Sequence, residues 1–141
     1  MTPTQMLVLA CASQALLTLT VCMVMLIHRV MLMKKIRLHP QAVALSADRL
    51  KHYKDTRLSD NYNHLFELPV LFYVLCLVAI ICQHVPHWLV VMAWGFVISR
   101  IIHSVIQCTY NRVIHRFSVF TLGLLLLITM WLGFVISYVI Q

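Results

Sequence analysis

The run F117-S-V-F-T-L-G-L-L-L-L-I-T-M-W-L-G-F-V-I-S-Y-V-I140 contains no charged side chain. At ~1.5 Å per residue, a helix of this length crosses a ~30 Å hydrocarbon core. Working backwards, three more apolar runs occupy roughly residues 88–108, 64–83 and 5–33. In lipid a chain must satisfy its own backbone hydrogen bonds, so such runs predict helices. The sequence therefore predicts an all-α, integral membrane four-helix bundle, a single transmembrane domain over residues 1–141. Composition agrees: 62% of residues are hydrophobic and 11% charged, with a mean hydropathy of +0.89. A soluble domain of this length would expose far more polar side chain. A bundle this small cannot enclose a solute path alone. No basic region precedes the first apolar run, which outlasts a secretory h-region, so it predicts a span and not a signal peptide.

The links between runs carry the charge. The first, Lys34 to about Asn61, includes K-K-I-R and D-R-L-K-H-Y-K-D-T-R. Pro40 ends a helix near its start, and Ala42–His52 suits a short interfacial helix. H84-V-P-H-W88 is an uncharged turn, and a short link is expected around Asn111–His115. With four spans, all Lys and Arg lie on one face of the membrane or approach it. The positive-inside rule then puts the charged links in the cytoplasm and both termini opposite. Trp88 and Trp94 suit an aromatic belt at the other interface. The net charge of +7 follows from this topology. No nucleic-acid-binding motif appears, and no nucleic-acid partner is expected. Anionic headgroups of membrane lipids are the better partners.

The five cysteines (Cys11, Cys22, Cys76, Cys82, Cys108) lie mostly in apolar runs and form no C-x-x-C. They read as small hydrophobes. H84-V-P-H87 has no carboxylate nearby, so no metal is expected. No P-loop, nucleophile elbow or H-E-x-x-H is present.

Helical spacing sorts the polar residues. Arg100, His103, Ser104, Gln107 and Asn111 recur at separations of three and four, with Tyr110 on the flank. Asp60, Asn63 and Glu67 do the same if the second helix starts before the membrane. Cys11, Gln14, Thr18, Met25 and Arg29 share a broad face of the first. Lipid does not accept such stripes at depth, so they face one another or a polar cavity. Glu67 is the chain's only glutamate, and Arg100 is its expected partner. The plain reading of such a pair is helix packing. For Arg112, His115 and Arg116 it is headgroup contact. The stripe also offers cationic donors near one acid. That suits an anionic, partly peptide-like ligand: guanidinium forks for carboxylates, Asn and Gln for amides.

N61-Y-N-H-L-F-E-L-P-V-L-F-Y73, R100-x-x-H-S and Y110-N-R-x-x-H-R116, set among four spans with a basic first link, resemble the MAPEG family. These are the membrane-associated proteins of eicosanoid and glutathione metabolism. The resemblance covers nearly the whole chain, and Asn61–Tyr73 looks especially like prokaryotic and divergent members. It implies a left-handed four-helix bundle, a homotrimer, and glutathione bound between subunits near the cytoplasmic side. By the same resemblance Arg29, Asn63, Glu67, Arg100, His103 and Gln107 contact glutathione. Asn63 lies four residues before the acid, whereas the family's asparagine lies three before. Arg116 falls where the thiol-activating arginine lies. Gln107 stands where several members have a tyrosine at the glutathione thiol, and glutamine cannot serve as a phenol. Tyr110 and Arg112 are the remaining candidates for chemistry. The implied activity is that of a glutathione-dependent transferase or peroxidase. Its second substrate is a hydrophobic small molecule, an electrophile or a lipid hydroperoxide. The alternative is a non-catalytic, lipid-binding or accessory protein of the same fold. A small transporter subunit is disfavoured, because no inverted repeat or paired broken helices appear. One compact bundle suits a bacterial inner membrane.

Overall fold

A computed structural model describes residues 1–37, 39–43 and 54–140. Helix α1 spans Pro3–Lys35. Its start is set locally. Thr2 Oγ1 accepts from Gln5 N at 3.2 Å, and Thr2 N donates to Gln5 Oε1 at 2.9 Å. This capping box satisfies two otherwise orphaned donors, and Pro3 needs no partner in the first turn. Lys34 and Lys35 sit in the last turn, where the helix dipole favours cations. At ~1.5 Å per residue α1 exceeds the hydrocarbon core, so its basic end projects beyond it. A 3-10 turn covers Pro40–Val43. The interfacial helix expected over Ala42–His52 lies almost wholly outside the described residues.

The second span is two helices, α2 at Arg57–His64 and α3 at Leu68–Ile81. Pro69 explains the break. It has no N–H to give to the carbonyl of Leu65, and its ring clashes with that carbonyl in a continuous helix. The chain tightens instead: Phe66 N donates to Asn63 O at 2.9 Å and Glu67 N to His64 O at 3.3 Å. Pro69 then sits in the first turn of α3. The helical path begins at Arg57, seven residues before the expected edge of this span.

Helices α4 (His87–Cys108) and α5 (Val113–Val139) complete the bundle. The link between them is Thr109–Arg112, shorter and earlier than expected. His115 and Arg116 are therefore in the first turn of α5. Asn111 has φ 47°, a left-handed conformation that asparagine tolerates better than most residues. The turn after α3 closes the same way at Gln83 (φ 54°). Gln83 N donates to Ile80 O and His84 N to Ala79 O, both at 3.0 Å. These bonds satisfy carbonyls that the helix end leaves free.

Four helical segments are long and apolar enough to cross a membrane: Pro3–Lys35, Arg57–Ile81, His87–Cys108 and Val113–Val139. They pack antiparallel in sequence order. Cys22 lies by Tyr62 and Cys11 by Cys76. Trp88 meets Gly133, and Gly95 meets Leu126. Lipid supplies no hydrophobic drive for helix association, so close packing through small residues does that work. Ala10, Ala79 and Ala93 are fully buried, and Gly133 accepts the ring of Trp88. Phe72 stacks on Phe96 with centroids 4.7 Å apart. Helix α4 is the axis of the core. Large apolar side chains on the other faces, such as Leu16, Leu77, Val91 and Leu132, are exposed.

At the basic end, Arg57 ties the first link to the third. It donates Nε to Asp55 Oδ1 at 2.9 Å, Nη2 to Asp55 Oδ2 at 2.6 Å, and Nη1 to the carbonyl of Thr109. The hydrogen bonds from Arg57 hold the Asp55 carboxyl down at about 2, against ~3.9 in an unfolded chain. A depressed carboxylate stabilises the fold above its unfolded pKa. That contribution is lost as pH falls through the folded value, here from about 4 to about 2. Asp55→Asn is therefore expected to flatten the fall of detergent-solubilised melting temperature over that window. At neutral pH the exposed pair contributes little, because solvent screens it. An unchanged acid profile would remove the pair from the acid response.

Candidate functional site

Arg100 is the centre of the buried polar stripe and is 2% exposed. Its expected partner is not there. The acid Glu67 lies on the outer side of the break and is bonded to His64, with Oε2 3.0 Å from Nδ1. Arg100 is held by α5 instead. Nη2 donates to the carbonyls of Val119 and Phe120, 3.3 Å each. Nε lies 3.5 Å from Ser99 Oγ. The guanidinium carbon is 5.4 Å from the Phe96 ring centroid and 5.3 Å from that of Phe120. Carbonyl dipoles and aromatic faces thus replace the carboxylate. Gly123 makes this possible. A Cβ there would lie 2.8 Å from the guanidinium carbon and 2.7 Å from Ser99 Oγ. The break at Pro69 is the physical reason the sequence pairing fails: it turns Glu67 away from α4.

His103 is 4% exposed and uses both nitrogens. Nδ1 lies 3.2 Å from the carbonyl of Arg116, and Nε2 lies 3.0 Å from the Gln107 carboxamide. A carbonyl only accepts, so Nδ1 carries the proton of the neutral ring. The atom facing Nε2 is Gln107 Oε1; exchanging the amide oxygen and nitrogen gives the neutral ring its donor there. Gln107 is 0% exposed and thereby orients His103. On the other flank, buried Asn61 donates Nδ2 to Cys108 Sγ at 3.3 Å. Asn61 Oδ1, Ser104 Oγ, Gln107 Nε2 as it stands and both amide atoms of Gln14 are buried without a partner among the described residues.

Arg116 is half-buried. It donates Nη1 to Asn111 Oδ1 at 3.0 Å, so the left-handed residue within the link also restrains this guanidinium. Arg112, at the N-cap of α5, is exposed. Tyr110 is 58% exposed and its hydroxyl lies 3.2 Å from His115 Nδ1. These two face away from the stripe. Asn63 is exposed on the outer surface, and Arg29 is half-buried on α1 with no hydrogen bond to a described residue.

The structure thus gathers Arg100, His103, Gln107 and the backbone of Arg116. Glu67 joins them only through a residue the sequence reading missed, His64. The His64 ring is 6.0 Å from His103 and 6.5 Å from Phe120, centroid to centroid. Phe120, also missed, stands among Arg100, His103 and His64. The signal for His64 was its spacing, three residues before Glu67. Phe120 carries no signal, because one phenylalanine in an apolar run resembles any other.

Fold and site together define a polytopic all-helical membrane protein with a buried cationic stripe at its basic end. The chain matches the MAPEG family over residues 7–136 and belongs to that family. Among the curated proteins none matches significantly, and the same holds for the solved structures.

Proposed function

We propose that the protein is a homotrimeric, glutathione-dependent membrane enzyme. It acts as a transferase or peroxidase on hydrophobic electrophiles or lipid hydroperoxides that enter from the bilayer. Arg116 carries this reading. Its guanidinium is half-buried and restrained by Asn111 at 3.0 Å, unlike that of the exposed Arg112 beside it. A second support is the outer face at the break. Glu67 is 53% exposed there, within a segment long enough to span the membrane. A carboxylate facing lipid is costly, and a neighbouring subunit with a peptide ligand would cover it. Family membership supports a glutathione-related role.

In this reading Glu67 receives the ligand's ammonium and Arg29 attracts a carboxylate, while the buried Arg100 acts only through its charge. Asn63 meets an amide of the ligand, and the buried Gln107 acts behind it by fixing His103 against α5. The Arg116 cation lowers the pKa of the glutathione thiol and stabilises the thiolate, which attacks the second substrate. The charged links are cytoplasmic and both termini lie opposite, in the inner membrane if the protein is bacterial. Calorimetry of purified protein with millimolar glutathione tests the reading. Saturable binding is expected, and no heat of binding at that concentration would end it.

A second reading has one observation in its favour. Gln107 is buried against His103, where a phenol would otherwise meet the thiol. A lipid-binding member without catalysis would bind fatty ligands between subunits and show no thiolate.

A further inference from the structure

His64 ends α2, and Glu67 caps the start of α3. The break between them brings His64 Nδ1 within 3.0 Å of Glu67 Oε2. A carboxylate oxygen only accepts, so Nδ1 carries the proton of the neutral ring and Nε2 keeps its lone pair. Nε2 has no hydrogen bond to a described residue, and the side chain is 34% exposed. His103 is different: both of its nitrogens are engaged, and it is buried. Between the two facing rings, His64 is the one with a free and reachable basic nitrogen.

Glu67 faces His64 from its own segment. His103 faces it from α4, with Arg100 one turn behind. From α5 come the Phe120 ring and, beyond His103, the carbonyl of Arg116. No α1 side chain bonds to it among the described residues. A carboxylate on Nδ1 fixes the tautomer and ring orientation, and it stabilises the imidazolium once a proton arrives on Nε2.

We infer that His64, oriented by Glu67, is the general base that takes the thiol proton of a ligand lying against Glu67 and Arg116. The inference rests on the glutathione reading and adds a residue to it. The step balances simply. The S–H bond breaks, its electron pair stays on sulfur, and the proton forms the N–H bond at Nε2. Nothing is oxidised or reduced, and the proton later leaves to water. Glu67 Oε1 remains available for a ligand ammonium. His64 and Arg116 then divide the work: one removes the proton, the other stabilises the thiolate.

The plain alternative is that the pair only pins the break between α2 and α3. His64→Asn separates the two. Asparagine places a polar atom near the position of Nδ1, so it can keep the bond to Glu67, but it has no second nitrogen. Three quantities are measured: glutathione affinity by calorimetry, thiolate formation by ultraviolet absorbance across pH, and conjugation of an activated aryl halide. His64→Asn is expected to bind glutathione but lose on the order of 10²-fold in rate, together with the ionisation that governs the wild-type profile. Added imidazole is expected to restore the rate in His64→Ala. A wild-type rate and pH profile in His64→Asn overturns the inference. If that variant fails to fold, Glu67→Gln serves instead, read at saturating glutathione because Glu67 also receives the ammonium: a weaker thiolate signal per bound ligand supports the dyad, and an unchanged one overturns it. Wild-type protein that binds no glutathione fails at the first measurement, which removes the glutathione reading and this inference with it.

Discussion

Arg116→Ala is expected to lower conjugation of an electrophile by glutathione by about 10²–10³-fold, the usual loss when a preorganised charge-stabilising donor is removed. Glutathione affinity should change far less, because the carboxylates and ammonium of the peptide meet other residues in the proposed site. The geometry explains the size of the effect. Arg116 is in the first turn of α5, and its guanidinium is restrained through Nη1 by Asn111 at 3.0 Å. A restrained cation in a partly desolvated site stabilises a thiolate more than a mobile one in water. Arg116→Lys keeps the charge and loses the fork, so it should fall between. The measurements are kcat at saturating glutathione and the ultraviolet signal of the bound thiolate. Equal kcat in Arg116→Ala and wild type would place thiol activation elsewhere.

Gly123→Val is expected to destabilise the bundle by roughly 3 kcal/mol or more. Even the first added carbon would lie 2.8 Å from the Arg100 guanidinium carbon and 2.7 Å from Ser99 Oγ. The guanidinium ends a flexible side chain, but it is 2% exposed and has nowhere to go. Displacing it breaks its bonds to Val119 O and Phe120 O and leaves a buried cation uncompensated. That is among the larger single-site penalties. The cause can be isolated. In an Arg100→Met background the charge is gone and the side chain is adaptable, so most of the Gly123→Val penalty should vanish. Thermal unfolding of the four proteins in detergent measures the coupling. The same penalty in both backgrounds would mean that Gly123 serves α4–α5 packing in general and not Arg100.

Much of this molecule was legible from local pattern. Four apolar runs mark four segments able to span a membrane. The burial of Arg100, His103, Ser104 and Gln107 on one face of α4 follows from their spacing alone, because 3.6 residues per turn is a property of the helix itself. The family resemblance also rests on short motifs and holds over residues 7–136. The partners of those residues were not legible in the same way. Spacing names a face; it does not say which helix fills the space opposite.

The case of Glu67 shows the difference. As the chain's only glutamate, it was the natural match for Arg100. Pro69 breaks the helix at Leu65–Glu67, and the acid turns outward to His64. The position of the proline was plain in the sequence, but the direction of the turned chain depends on how α2 and α3 pack. Arg100 found carbonyls, the Phe120 ring and a glycine on α5, far along the chain, and the Phe96 ring one turn back on its own helix. His64 and Phe120 gained their places only because three helices bring them beside His103. The sequence by itself determined the spanning segments and the buried polar stripe, because each depends on neighbours within a few turns. Only the tertiary structure decided which charge meets which partner. A buried cation settles where the surrounding dipoles, rings and free space together cost least, and that sum runs over residues the chain order keeps apart.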